Sequence, residues 1–375
     1  MLPSFYIENF RIFDTLSISR LGRVNLIVGR NNAGKSAFLE AVLLYVSNAS
    51  LDVIYKLITS RQENYDSDFQ NNPNLLSLNP IRHFFKGHKI PNLTEPGFIL
   101  AIRDNEASLN IRTAAFIIEE SVDKRIRRKL DREELESFNP DYFDPDIEIF
   151  VVSEQEDATQ LLFSQNRDFR EAYREARFRL GNQRPQNKYG VIQFVSTQGL
   201  TDTKAAQLWD AINLKDLEKD VINSLKLIEK TIVGLAFVEG DKTRDRVPVV
   251  KLENQEERIP LKSLGDGVTR VFHIILSLVN AKGGVLLIDE FENGLHWAVQ
   301  QSVWEIVFQL AETLNVQVFC TTHSRDCIDG FGNVWKKYPQ CGAFFRLFAR
   351  NQTVLAQEYD IETLSDSLET DVEVR

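Results

Sequence analysis

The sequence predicts an α/β protein built on a parallel sheet, and two observations carry that prediction. Near the start, the strand-like "RVNLIVG" runs through a Gly-rich loop into the helical pattern "KSAFLEAVLLYV", an order typical of parallel α/β sheets. Towards the end, "GGVLLIDE" and "NVQVFCTTH" are apolar runs that finish in polar residues, as strands buried on both faces do. At 375 residues, 43% hydrophobic and 26% charged, the chain has material for one large or two ordinary domains.

Composition excludes several classes. The apolar stretch around Leu39 to Val46 is far shorter than the roughly 18 residues of a membrane span. The start "MLPSFYIENF" has no basic segment followed by an apolar one, so a cytosolic protein with no membrane partner is expected. Cys320, Cys327 and Cys341 show no CxxC spacing, which points to packing rather than disulfides or zinc. A formal charge of -10 argues against a protein that coats nucleic acid through a global positive field, though it leaves room for a local basic groove.

Taken in order, "SFYIENF" and "RVNLIVG" read as strands, and "KSAFLEAVLLYV" as an amphipathic helix with Phe38, Val42 and Tyr45 at helical spacing. Ser60 to Pro96 is rich in Asn, Pro, Ser and Asp and reads as loop. "GFILAIRDNEASLNIRTAAFII" reads as two strands joined by "DNEA". Glu119 to Gly181 is heavily charged and reads as an insertion, with helical stretches such as "NRDFREAYREARFRL" around the Pro- and Asp-rich "FNPDYFDPDIEIF". The stripe of Arg170, Arg174 and Arg177 has helical spacing, but Asp168, Glu171 and Glu175 dilute it, which favours a solvated helix face over a nucleic-acid contact. "YGVIQFV" is strand-like, Thr201 to Val233 predicts one long or two short amphipathic helices, and "VPVVKLENQEERIPL" a hairpin. The expected division is a core in two parts, 1–60 and 185–375, around an inserted segment, 61–184.

The motifs sit where this scheme has strand ends. "GRNNAGKS" (Gly29, Arg30, Asn31, Asn32, Ala33, Gly34, Lys35, Ser36) matches a phosphate loop in full and lies between a strand and a helix. Its backbone N–H groups would close around phosphates, Lys35 would reach the β and γ phosphates, and Ser36 would offer its hydroxyl to magnesium. "VLLIDE" puts Asp289 and Glu290 at the end of a buried strand, where ligands bind in α/β sheets; Asp289 would hold the magnesium and Glu290 polarise the attacking water. "FCTTHS" repeats the geometry and presents His323 to the γ phosphate or the water. His83, His88, His273 and His296 read as structural. In "FENGLHWAVQQSVWEIVFQLAETL", Gly294 marks a turn, and Trp297, Val303, Ile306, Val307 and Leu310 are expected to face inward. Glu292 and Asn293 serve either the turn or contact with a second subunit.

Together, "YIENFRIFDTLSISRLGRVNLIVGRNNAGKSAFLEAV", "SLGDG", "LLIDEFENGLH" and "TTHS" resemble, in order and spacing, the ABC-type ATPases of the SMC, RecF and OLD group. The resemblance covers Leu2 to Val46 and Val247 to Ile361. Within the group it is greatest to the OLD-like AAA ATPases, on "PLKSLGDGVTRVFHIILSLVNAKGGVLLIDEFENGLH". It implies an ABC-type ATPase head with a mixed sheet core, an antiparallel β subdomain and a mainly helical charged insertion. It also implies ATP and Mg2+ as ligands, and a homo-oligomer of at least two subunits joined head to tail. In such a pair the signature loop, Ser263, Gly265 and Gly267, touches the γ phosphate held by the other subunit, with Asp266 turned away to cap the following helix. By the same analogy Arg11 of "NFR" reaches the nucleotide, and a coupling glutamine is sought at Gln193 or Gln198. OLD proteins proper continue into a Toprim nuclease domain, whereas only fifteen residues follow "QEYD" here, so the resemblance implies a separately encoded effector nuclease in anti-phage defence. The alternative is a RecF-like, ATP-gated DNA-binding protein. A transporter subunit fits less well, given the "NFR" segment, the absence of "LSGGQ" and the insertion.

Overall fold

Neighbouring residues of a strand point to opposite faces, so a strand without polar positions needs a core on both sides. The computed structural model provides two such cores. It describes residues 1–64, 79–103, 106–121, 124–137, 147–155, 158–164, 169, 171, 173–174, 188–213, 215–240 and 246–370. The strands are β1 (Phe5–Phe10), β2 (Phe13–Ile18), β3 (Val24–Val28), β4 (Phe98–Ile102), β5 (Glu106–Ser121), β6 (Lys124–Lys129), β7 (Ile147–Gln155), β8 (Ala158–Ser164), β9 (Ile192–Val195), β10 (Ile232–Glu239), β11 (Arg246–Leu252), β12 (Ile259–Pro260), β13 (Val285–Ile288), β14 (Gln317–Thr322), β15 (Gly342–Arg350) and β16 (Thr353–Tyr359). The α-helices are α1 (Lys35–Val46), α2 (Leu51–Ser60), α3 (Arg132–Ser137), α4 (Asp202–Ile212), α5 (Asp216–Ile228), α6 (Asp266–Asn280), α7 (Trp297–Thr313), α8 (Arg325–Lys337) and α9 (Ile361–Glu369).

The central sheet runs β16-β15-β3-β14-β13-β9, and every neighbouring pair is parallel except the β15–β16 hairpin. Val24, Leu26 and Val28 of β3, Leu286 and Ile288 of β13, and Val318 and Cys320 of β14 turn into a core shared with α4 to α8. Their neighbours Ile27, Leu287 and Phe319 turn the other way, into a core with α1 and the second sheet. That sheet is antiparallel throughout, in the order β2-β1-β4-β5-β7-β8 with β6 on β5. A small antiparallel sheet, β10-β11-β12, stands apart. The fold is therefore mixed α/β with an antiparallel β subdomain, as the sequence predicts.

Three expectations are corrected. Helix α1 is not amphipathic: of its residues only Ser36 escapes burial, because the helix lies between the two large sheets, with Phe38 against Phe5 and Phe345 at 5.8 and 5.3 Å. The described part of 119–164 is mostly strand rather than helix. Apolar Phe150 to Val152 and Leu162 to Phe163 occupy strand centres, and the charges that obscured this pattern pair across strands, Arg112 with Glu154 and Arg127 with Glu148. Trp297 is 65% exposed, whereas Val303, Ile306 and Val307 are buried as expected. Arg174 is exposed in a helical segment, while Arg170, Arg177, Asp168 and Glu175, like most of "FNPDYFDPDIEIF" and residues 65–78, lie outside the described residues. Among the described residues no helix is long and apolar enough to cross a membrane.

Two buried amides tie the chain start to the base of the central sheet. Gln317 Nε2 donates to the carbonyls of Leu2 and Gly22 at 2.8 and 2.9 Å, and its Oε1 accepts from the Leu2 N–H at 2.7 Å. Asn25 accepts from Gly22 N–H at 2.8 Å and donates to Val318 O at 2.9 Å.

His273, in the buried face of α6, accepts from the Leu200 N–H through Nδ1 at 3.2 Å. Burial, and then the nearby Arg270 charge, push its pKa down to about 4. The unfolded chain takes up that proton near pH 6.5, so the stability tied to neutral His273 is complete above 6.5 and drains away as pH falls towards 4. Urea unfolding should show the parent losing about 3 kcal/mol more than His273→Asn between pH 6.5 and 4. Equal losses would remove His273 as the source.

Candidate functional site

Parallel neighbours β3, β14, β13 and β9 end at the same edge of the sheet, so the loops that follow them meet there. The loop after β3 enters α1 through Gly34, at φ 95°, a left-handed conformation in which an added Cβ would lie 2.7 Å from Ile12 Cδ1. Helix α1 begins with no side-chain cap and no acid in its first turn, so its leading N–H groups are open to an anion. Arg30, Asn31 and Asn32 lie exposed on the loop and Ala33 is buried beneath it. Lys35 Nζ donates to the carbonyls of Gly29 and Arg30 at 2.7 and 3.0 Å. Burial lowers the pKa of Lys35, and the charges of Glu292, Asp289 and Glu290, in that order, oppose the shift.

Ser36 Oγ lies 3.0 and 3.2 Å from the two carboxylate oxygens of Asp289. Thr321, at the end of β14, joins the next two acids: its hydroxyl accepts from the Glu290 N–H at 2.8 Å and donates to Asp289 Oδ1 at 2.6 Å. Glu290 itself is in the left-handed region, at φ 49°, so the chain turns sharply just after the strand. One step further, Glu292 Oε1 accepts from the His323 backbone N–H at 2.9 Å and approaches His323 Nδ1 at 3.1 Å. The structure thus brings together Gly29 to Ser36, Asp289, Glu290 and His323.

Arg270 was not singled out by sequence reasoning. It is buried on α6, and its guanidinium donates to the carbonyls of Ser196, at 2.6 Å, and of Asp289 and Glu290, each at 2.8 Å. One side chain therefore fastens the β9 and β13 loops together. Its only sequence signal is a lone cation opening the apolar run "VFHIILSLV". Burial lowers its pKa. Gln198 lies exposed in the loop after β9, on the site edge, whereas Gln193 is buried within the strand.

The remaining predicted residues lie apart from this cluster or turn from it. Ser263 and Gly265 are exposed at the entrance to α6, with Gly265 at φ 100° in open space. Gly267 packs so closely on the Gly294 turn that an added Cβ would sit 3.0 Å from Gly294 O. Asp266 does not cap α6 as expected: the helix has no side-chain cap, and Asp266 is exposed in its first turn. Arg11 is buried, with its guanidinium paired to Glu40 at 2.5 Å and Glu63 at 2.7 Å and lying 4.8 Å from the Phe84 ring centroid. Arg61 also binds Glu40, at 2.6 Å.

Among the described residues no group of three His, Cys, Asp or Glu side chains converges as a metal cage. Ser36 and Asp289 supply two facing oxygens, one anionic, which suits a Mg2+ ion that takes its other ligands from phosphate and water.

A family model described as AAA domain, putative AbiEii toxin, Type IV TA system matches residues 24–326. An ATP/GTP phosphatase of Helicobacter pylori (strain ATCC 700392 / 26695) is 24% identical over 397 residues, covering 97% of this chain and 97% of that protein. Uncharacterized protein MJECL10 of Methanocaldococcus jannaschii is 45% identical over 47 residues, covering 12% of this chain and 22% of that protein. Among solved structures, an SMC head bound to the C-winged helix domain of ScpA aligns at 10% identity and TM-score 0.48, covering 97% of this chain and 99% of that chain. The SMC head domain from Thermotoga maritima aligns at 11% identity and TM-score 0.45, covering 96% and 99%.

Replacing Arg270 by Met keeps the length, leaves the Asp289 carbonyl without its donor and takes one of two donors from the carbonyls of Ser196 and Glu290, which keep the N–H groups of Gly199 and Asn293. Arg270→Met should cost about 3 kcal/mol of stability and speed hydrogen exchange across Leu286 to Glu292. Exchange at the parental rate would show that this loop holds itself.

Proposed function

This chain belongs to the AAA domain family described as putative AbiEii toxin of type IV TA systems and is an ATPase; we propose that it hydrolyses ATP with Mg2+ as an ABC-type, head-to-tail pair of subunits that acts as a nucleotide switch for a separate effector. The observation that carries this reading is the hydrogen-bonded line from Ser36 through Asp289 and Thr321 to Glu290, which joins the phosphate loop to two further strand ends. A relative named ATP/GTP phosphatase, matching 97% of this chain, supports nucleoside triphosphate hydrolysis.

The residues divide the work by chemistry. The open N–H groups of α1 and the Lys35 ammonium hold the phosphates, drawing Lys35 from its loop carbonyls. Ser36 and Asp289 hold Mg2+, which when bound neutralises charge on the phosphate oxygens. Glu290 accepts a proton from water as the water oxygen bonds to the γ phosphorus and the bond to the bridging oxygen breaks, the electron pair leaving on ADP. The Thr321 bridge and the Arg270 clamp keep Glu290 in its strained turn. Gln198, exposed at the end of β9, is the better placed of the two candidates to sense the nucleotide. Arg11 is committed to Glu40 and Glu63, which supports a role in bracing α1 rather than in touching ATP.

The signature loop supports the paired arrangement, since Ser263 and Gly265 are exposed and lead into a helix with no side-chain cap. The effector is a separately encoded nuclease of Toprim type in defence against phage, as the OLD resemblance implies. The RecF-like alternative gains nothing from the described basic side chains of β6. Arg127 pairs with Glu148, Arg128 with Glu119 and with Glu134 of α3, and Lys129 with Glu154, so each of these cations has an acidic partner in its own subunit.

Lys35→Ala should abolish nucleotide binding, while Glu290→Gln should bind ATP, turn over on the order of 100-fold more slowly and accumulate as an oligomer in light scattering. Gly265→Arg or Ser263→Arg should bind ATP like the parent and yet fail to hydrolyse it. Parental turnover in Glu290→Gln would overturn the assignment of the base; parental turnover in both loop variants would overturn the pairing.

A further inference from the structure

Glu292 follows the proposed magnesium ligand by three residues and touches His323 twice, at the backbone N–H and at ring Nδ1, with the same oxygen. The Glu292 side chain is 10% exposed and the His323 side chain 52%, so a buried anchor holds a projecting ring. The other oxygen, Oε2, is buried and has no hydrogen-bond partner among the described residues, so the hydrogen bonding of this carboxylate is directed at His323, while its charge also acts on Lys35. A carboxylate oxygen only accepts, so at 3.1 Å from Nδ1 it favours a proton on that nitrogen over a lone pair. In the neutral ring Nε2 then carries a lone pair and accepts.

We propose that Glu292 is the positioning residue for His323, selecting the tautomer in which Nε2 is an acceptor for the attacking water rather than a donor to the γ phosphate. The inference rests on the ATPase reading above and deepens it. The attacking water has two protons; the Glu290 carboxylate receives one, and His323 Nε2 offers an acceptor for the other, which turns the lone-pair side of the oxygen towards phosphorus. Loss of Glu292 frees the imidazole to adopt the Nε2–H form, which turns an acceptor into a donor at the same place.

The tautomer can be read directly by long-range proton–nitrogen correlation on protein labelled with 15N-histidine. The chain has 5 histidines, and the His323 signals are assigned by their loss in His323→Ala. The parent should show Nδ1–H, and Glu292→Met, which keeps the length but cannot accept from Nδ1–H, should shift towards Nε2–H. Glu292→Gln, whose amide oxygen still accepts, should keep the parental tautomer. In steady-state ATPase assays Glu292→Met should lower kcat about 10- to 100-fold with KM changed less than about threefold, and Glu292→Gln should recover most of the loss. In a His323→Ala background, Glu292→Met should cost less than about twofold more. An unchanged tautomer in Glu292→Met, or a full further loss in the double variant, overturns the proposal. The nuclear resonance readout needs no turnover, so it stands even if the ATPase variants refute the hydrolytic reading.

Discussion

The burial of one parallel sheet on both faces is the constraint from which the rest of this structure follows. Leu286 and Ile288 face one core and Leu287 the other, so a slip of one residue in β13 would exchange their partners wholesale. Such strands bury a polar side chain only where it finds a hydrogen-bond partner, as Asn25 does, and otherwise carry polar residues at their ends. β3, β14, β13 and β9 are parallel and adjacent, so their polar ends gather along a single edge. Thr321 shows the consequence in one residue: fully buried at the last turn of its strand, it meets its hydrogen-bonding needs with Asp289 and Glu290 from the strand beside it. Sheet register and site geometry are one fact seen at two scales.

That coupling explains what the sequence made legible. An unbroken apolar run ending in polar residues reads as a buried parallel strand, and "VLLIDE" and "VFCTTHS" do place Asp289, Glu290 and His323 just beyond the ends of β13 and β14. The same logic failed where burial left no alternation to read. Helix α1 reads as amphipathic because Phe38, Val42 and Tyr45 fall at helical spacing, whereas its other face is also buried, under the antiparallel sheet. The strands β6 and β7 were hidden by charges whose partners lie across the sheet, a contact that no local window contains. Trp297 matched a helical spacing, yet it stands at the first position of α7, before the helix reaches its core. Arg270 was invisible for a different reason: its partners are backbone carbonyls, which leave no trace in the sequence.

Buried charge is concentrated behind the site in a pattern that residue types alone do not reveal. Glu40 lies one helical turn after Ser36 on α1, and it gathers Arg11 from the end of β1 and Arg61 from the end of α2. Burial raises the pKa of Glu40 while both guanidiniums oppose the shift. Breaking such a pair by removing one partner typically costs about 3–5 kcal/mol, because the other charge is stranded. The arrangement therefore fixes α1 against the antiparallel sheet through electrostatics as well as packing. A rigid α1 matters because the phosphate loop is only as well placed as the helix it opens.

The two glycine-led helices differ in one respect that bears on the proposed pairing. Both α1 and α6 start without a side-chain cap, but α1 has no acid in its first turn and α6 has Asp266. A carboxylate there stabilises the free helix by about 0.3–1 kcal/mol through the helix dipole and repels a phosphate that approaches the same end. The start of α1 is thus open to an anion within its own subunit, whereas the positive end of α6 is partly answered by Asp266. Asp266 is exposed and makes no cap, so in the proposed pair it could swing aside and a phosphate would meet Ser263 and the open face of Gly265. The contact across the proposed pair would be weakened by the amount Asp266 contributes to the free subunit. For a permanent dimer that would be a defect, but a switch that must separate after each hydrolysis is helped by a free state that stabilises itself.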